Sequence, residues 1–168
     1  SIAYDEQFHR FLVVWDSADY LQIKGRMINP DGTFAANEFP ISSAAGTHSL
    51  PSVAYNSIDA RFLVAWEHAA AYTFDLVGQL LNADGSFYQS TISISSAGRD
   101  VFHHSSVYNP LANNYFILFG DYAQELLYAQ VIRSDGTLDT TISNENILIS
   151  YADYPGDRRP AAAFDSVN

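Results

Sequence analysis

Three stretches of the chain, "RFLVVW" at 10–15, "RFLVAW" at 61–66 and "NYFILF" at 114–119, are apolar or aromatic at almost every position. A short run of this kind, rich in β-branched and aromatic residues, predicts a strand buried on both faces. A shorter apolar segment precedes each run, as "SVAY" does at 52–55. A segment of mixed character follows, such as "LVGQLLN" at 76–82, and then a more clearly alternating one, "SFYQSTISIS" at 86–95, which suits a half-exposed edge. The pattern therefore predicts four strands, and predicts them three times over.

Between the third and fourth segments stands one recurring phrase: "NPDGTF" at 29–34, "NADGSF" at 82–87 and "RSDGTL" at 133–138. Asp-Gly accepts the positive φ angles of a tight hairpin turn with little strain, so each unit repeats the phrase because each needs that turn. With the phrases in register, Tyr4, Tyr55 and Tyr108 become equivalent, as do Trp15, Trp66 and Phe119; Gly25, Gly78 and Ala129; and Ile41, Ile94 and Ile149. The closing segment "PAAAFDSVN" matches "PSVAYNSID", with Phe164 in the place of Tyr55.

Four antiparallel strands in about fifty residues, repeated in tandem, are the signature of β-propeller blades. The expected fold is all-β and β-propeller-like, a single repeat domain over 1–168. Blade 1 spans 1–50, blade 2 spans 51–103 and blade 3 spans 104–159, with the first strand of a fourth blade at 160–168. Propellers close with about four to eight blades, and an open arc leaves two apolar faces bare. Two readings follow: a partner chain closes the ring, with six blades in a dimer, or the chain is a fragment of a larger propeller. The segment at 160–168 is expected to supply an innermost strand to a neighbour or to replace the Ser1–Glu6 segment.

The pattern resembles tandem repeats of the form P-x-V-A-Y … F-L-V-x-W … G-Q … D-G found in secreted and surface proteins of bacteria. "PSVAYNSIDARFLVAWEHAAAYTFDLVGQLLNADGSF" carries the match best, and the likeness covers nearly the whole chain. The third unit departs from it at Phe119 and Ala129. The resemblance implies a propeller and a secreted or cell-surface setting, although the chain itself shows no signal peptide. It brings no catalytic residues.

Composition narrows the partners. The 168 residues carry 8 Lys+Arg against 19 Asp+Glu, a formal charge of −11, which repels phosphate backbones and anionic lipid; neither nucleic acid nor a membrane is expected. Cysteine is absent, which excludes disulfides, thiolate catalysis and Cys-zinc sites. No cofactor motif occurs, and the adjacent His103–His104 pair has no third ligand at metal spacing.

Candidate chemistry gathers in the loops of one propeller face. The blade-joining loops hold His48, His103, His104 and Arg158, and the loops after the buried strands hold Asp16, Tyr20, Glu67, Tyr72, Asp121 and Tyr122. Carboxylates beside tyrosines suit sugar recognition, where rings stack and acids accept hydroxyl hydrogen bonds. No two carboxylates are forced together by spacing, and Trp15 and Trp66 read as wedges between blades. The sequence favours a non-catalytic binding or adhesion module for a glycan or surface polymer. The alternatives are a self-assembling structural repeat and, behind it, a hydrolase or lyase with its site near His103, His104 and Arg158.

Overall fold

A computed structural model describes residues 1–69, 72–150 and 159–165. Its regular structure is entirely β, in three four-stranded antiparallel sheets with strands in sequential order. The first sheet comprises β1 (Ile2–Asp5), β2 (Arg10–Asp16), β3 (Ile23–Ile28) and β4 (Phe39–Pro40). The second comprises β5 (Thr47–Asn56), β6 (Arg61–Ala69), β7 (Asp75–Asn82) and β8 (Ile92–Ser93). The third comprises β9 (Val101–Asn109), β10 (Asn114–Asp121), β11 (Leu126–Arg133) and β12 (Ile147–Ser150). No strand joins one sheet to another; the sheets pack face to face, and β5 lies against both β1 and β9.

Alternation along the second strand of each sheet decides the packing. On β6, Phe62, Val64 and Trp66 turn towards the first sheet and meet Leu12, Val14, Ile23 and Met27. Leu63 and Ala65, one residue out of phase, meet Tyr115, Ile117 and Phe119 of the third sheet. Phe62 to Glu67 are therefore all buried, whereas β2 and β10 bury alternate residues over most of their length. Burying one side chain of this size contributes about 1.5–3 kcal/mol, so a second sheet flanked on both sides is the centre of stability. Trp66, only 2% exposed, is the wedge expected of it, while Trp15 is half-buried on the outer face of the first sheet.

The repeated Gly and Ile positions act as a pair. A Cβ on Gly78 would stand 2.8 Å from Ile94 Cδ1, and one on Gly25 would stand 2.8 Å from Ile41 Cδ1. Ile41 and Ile94 are 2% and 0% exposed, but Ile149 is 46% exposed. Where the isoleucine does not press down on the sheet, Ala129 fits.

The DG phrases form the expected turns. Asp31 Oδ1 accepts from Thr33 N (2.9 Å) and Thr33 Oγ1 (2.7 Å), and Asp84 and Asp135 repeat the arrangement with Ser86 and Thr137. These bonds hold all three carboxyls below the usual aspartate range. A second cap recurs at the β1–β2, β5–β6 and β9–β10 hairpins, where Asp5, Asn56 and Asn109 each accept two backbone N–H groups two and three residues on.

Three expectations change. The fourth strand is only two residues long in the first two sheets, because Phe34 and Phe87 make single bridges to Ile28 and Leu81 and the chain then leaves the ladder. The blade boundaries at 50/51 and 103/104 fall inside β5 and β9, since each innermost strand continues through a bulge at Leu50 or His103, both at positive φ. Residues 160–165 form no strand, although they lie against the third sheet; 166–168 fall outside the described residues.

The turn glycines supply a contrast that tests the stacking. Gly85 (φ +89°) lies against Phe39 of the first sheet, 2.9 Å from where its Cβ would be, and Gly136 (φ +86°) lies against Gln89 of the second. Gly32 (φ +85°) has no such neighbour within 4 Å. Gly32→Ala should cost about 1–2 kcal/mol from backbone strain alone, and Gly85→Ala measurably more. Urea denaturation of the two variants checks the order; equal losses would remove the sheet-to-sheet contact from the account.

Candidate functional site

The connections after β2, β6 and β10 and the linkers between sheets meet at one end of the molecule. The backbone joins them directly: His48 N donates to Tyr20 O, Val101 N to Phe74 O, and Tyr122 N to Asp100 O, each at 2.7 Å. Phe74 N also donates to Asp100 Oδ1 at 3.0 Å. Nine of the ten candidate residues fall at this end or in the strands leading to it, and their environments separate them into two groups.

One group is buried and spent on bonds within and between the sheets. Glu67, on β6, accepts a 2.7 Å hydrogen bond from the backbone N–H of His103, the bulged residue of β9. His104 lies 3.9 Å from the same carboxylate through Nδ1, while its Nε2 is 3.1 Å from Ala65 O. The carbonyl can only accept, so Nε2 carries the proton. Asp121 is fully buried. Its Oδ1 accepts from Ala123 N and Gln124 N, and its Oδ2 meets Arg99 Nη1 at 3.2 Å. Arg99 also lies 3.6 Å from the centre of the Tyr128 ring and donates to Gln124 Oε1.

His48 belongs to this group as well. Its Nδ1 accepts from the indole Nε1 of Trp66 at 2.9 Å, so the imidazole is neutral and donates through Nε2 to Ala44 O at 3.0 Å. Burial lowers its pKa, the Ala44 bond opposes that shift, and His68 nearby lowers it further.

The second group faces solvent. Tyr20, Tyr72 and Tyr122 are 52%, 99% and 71% exposed, one on the corresponding connection of each sheet. Tyr20 sits at φ +56°, held by its own amide, which donates to Ser17 O at 2.8 Å. Tyr122 packs edge-on against Phe102, whose other neighbour is the His103 ring. Asp16 closes β2 in a half-buried position. Arg158 lies outside the described residues.

The expectation that His48, His103 and His104 stand in loops is corrected: they are in β5 and β9, because the innermost strands begin before the bulge. Arg99 stands in the same blade-joining loop, two positions before β9, where an acidic chain could gather cations for an anionic ligand; the partner that makes it structural, Asp121, lies 22 residues away.

A hollow of about 380 Å³ opens between β1, β5 and β9, lined by Ala3, Tyr4, Tyr55, Ser106 and Tyr108 among others. Two of its repeat tyrosines take part in the contacts between sheets. Tyr55 OH donates to Asp5 Oδ1 at 2.6 Å, and Tyr108 OH donates to Asn113 Oδ1 at 2.9 Å, which also receives Asn56 Nδ2. Burial first, and Asp5 second, raise the Tyr55 phenol above its ordinary value.

No protein-family model matches the chain, and no curated protein sequence aligns with it significantly.

His48 provides a pH test. Its folded pKa is depressed, so folding favours the neutral ring. That contribution is fully present above the unfolded value near 6.5 and is lost as pH falls through the folded pKa. Stability measured by urea midpoints should decline on acidification from pH 7 towards 5. In His48→Gln that component of the decline should be absent, because the amide does not titrate. An unchanged slope in the variant would assign the effect elsewhere.

Proposed function

We propose that the protein is a non-catalytic binding module of the propeller type, recognising a glycan or another surface polymer through the tyrosine-bearing end. The observation that carries this reading is the exposure of Tyr20, Tyr72 and Tyr122 on equivalent connections of three sheets. Around them the ionisable residues suited to acid–base work, Glu67, Asp121 and His48, are buried and engaged in bonds that hold the fold. An exposed tyrosine offers a rigid ring for stacking and a hydroxyl for hydrogen bonding at low entropic cost. Asp19, whose carboxylate is kept ionised by the Ser17 hydroxyl and the Leu21 amide, adds an acceptor next to Tyr20.

The stacked arrangement of sheets, with innermost strands side by side, supports a ring completed by further repeats. In such a ring the tyrosine end becomes one mouth. A secreted or surface setting accords with this use.

A second reading, a structural repeat that works by self-association, is favoured by the outer faces of the stack. Trp15 and Ile149 stand partly exposed where their equivalents Trp66 and Ile94 are buried.

Titration with neutral and acidic oligosaccharides, followed by tyrosine fluorescence and calorimetry, tests the first reading. Tyr72→Ala should weaken binding about threefold to tenfold, the equivalent of about 0.5–1.5 kcal/mol for one stacked ring, without moving the unfolding midpoint. A flat response across both sugar classes would defeat it.

A further inference from the structure

The two seams inside the molecule have the same polarity. The face carrying Phe62, Val64 and Trp66, or Tyr115, Ile117 and Phe119, turns towards the preceding sheet. The face carrying Leu12 and Val14, or Leu63 and Ala65, turns towards the following one. Among the described residues this leaves two faces with no sheet against them. On the first sheet the uncovered face carries Phe11, Val13 and Trp15, with Ile2 and Tyr4 paired beside them. On the third sheet it carries Phe116, Leu118 and Val131.

The third sheet's face is not bare. Residues 161–164 lie across it around a groove of about 440 Å³, and Ala162 N donates to Ser105 Oγ at 3.2 Å. Ser106, the next residue of β9 and so on its opposite face, meets Ser52 of β5 at 2.6 Å. The segment 160–165 therefore occupies the position that the first strand of a following sheet would take. Its sequence, "PAAAFD", is aligned with "PSVAYN" at 51–56.

We propose that this face is the docking surface for a second copy of the chain, which seats the Tyr4–Trp15 face of its first sheet there and displaces residues 160–165. The proposal rests on the propeller-type reading above for the closure of the ring. The described residues of each copy offer one face of either kind, so two copies can make two identical contacts and bring six sheets into one ring.

Three observations identify the occupant. First, Tyr4 is the equivalent of Tyr55, and Asn109 is the equivalent of Asp5, which takes the Tyr55 hydroxyl across an internal seam. Tyr4 is 41% exposed, and Asn109 caps its hairpin as Asp5 does. Phe164 fills the tyrosine's position in the tail without a hydroxyl, so a docked copy makes a bond that the tail cannot.

Second, Gly85 and Gly136 are each overlain by the segment that follows the DG turn of the preceding sheet, while Gly32 has nothing within 4 Å. A docked copy brings the 139–146 segment of the third sheet to that place.

Third, the charges match. Arg26, 4.3 Å from the centre of the Phe34 ring, and Lys24 make the first sheet's face locally basic in a chain of charge −11, with Glu38 their ion-pair partner. The 139–146 segment brings Glu145 and, paired with Arg133 at 2.9 Å, Asp139.

Sedimentation equilibrium of the full chain, of a chain ending at Arg159, and of two charge variants tests the proposal. Truncation should lower the dimer dissociation constant at least tenfold. Leu118→Glu and Trp15→Lys should each be monomeric alone, and an equimolar mixture should recover a dimer, with one native contact and one Lys–Glu contact. Recovery on mixing also shows that both variants are folded. A truncated chain that stays monomeric, assemblies larger than a dimer, or two folded variants that fail to pair would each overturn the proposal. The masses are read without sugar, and Tyr72→Ala should leave them unchanged, so a flat glycan titration leaves this result standing and a monomer leaves the tyrosine reading standing.

Discussion

Everything in the molecule follows from a sheet that is apolar on both faces. A strand such as β6, buried from Phe62 to Glu67, cannot be stable in a single layer, because one face would always meet water. Flanking sheets remove the problem for the second sheet and pass it outwards to the first and third. Stacking is thus a requirement of the sequence pattern. The short edge strands β4 and β8 are its counterpart: they lie at the far edge from β1 and β5 and each adds one apolar side chain, Phe39 or Ile92, to the core.

Hydrophobic contact alone does not fix how one sheet sits on the next; polar contacts set that register. Arg10 reaches across the first seam to the carbonyl of Ala83, and Arg61 reaches across the second to Ser134 O, each meeting the DG turn of the following sheet. Near the hairpin caps the seams are tied by Tyr55 to Asp5 and by Asn56 to Asn113, and at the opposite end by Glu67 to His103. Breaking a buried charge pair such as Arg99–Asp121 by removing one member typically costs about 3–5 kcal/mol, because the remaining charge is stranded. Three candidate ligand-binding residues are occupied by bonds of this kind: Glu67 ties the second sheet to the third, and Asp121 and His48 brace the third and second sheets internally.

The repeat was legible because turns and wedges obey local rules. Asp-Gly recurs wherever a tight turn is needed, and an aromatic recurs towards the end of each second strand as Trp15, Trp66 and Phe119, so four strands per unit and their order could be read from spacing. The first strands of the second and third sheets were read too short because the bulges lack a sharp local signature: Leu50 and His103 adopt positive φ, and although histidine enters that region more readily than leucine, neither residue marks it as glycine would. The roles of Glu67, His48 and Asp121 were illegible for a different reason. A carboxylate offered to a ligand and one offered to a neighbouring backbone N–H are written with the same letter, and only the 36-residue separation of Glu67 from His103, closed by folding, distinguishes them.

Several departures from the repeat fall on uncovered faces, although Phe119, in the place of Trp66, lies on a covered one. On the third sheet they affect the face turned away from the second: Asn114 stands where Arg10 and Arg61 stand, too short to reach a following turn, and Ala129 replaces the glycine beneath a seated isoleucine. On the first sheet they affect the opposite face, where Lys24 and Arg26 take the places held by Val77 and Gln79 in the second. The uncovered faces carry more charge and shorter reach at these positions than their covered counterparts. A contact built from those faces lacks the arginine tie and places cations at its outer rim, so it is weaker than either internal seam. In the proposed assembly a segment as plain as Ala161–Phe164 would compete for the same surface, and association would be a matter of concentration. The same residues that loosen the joint are what would make it reversible.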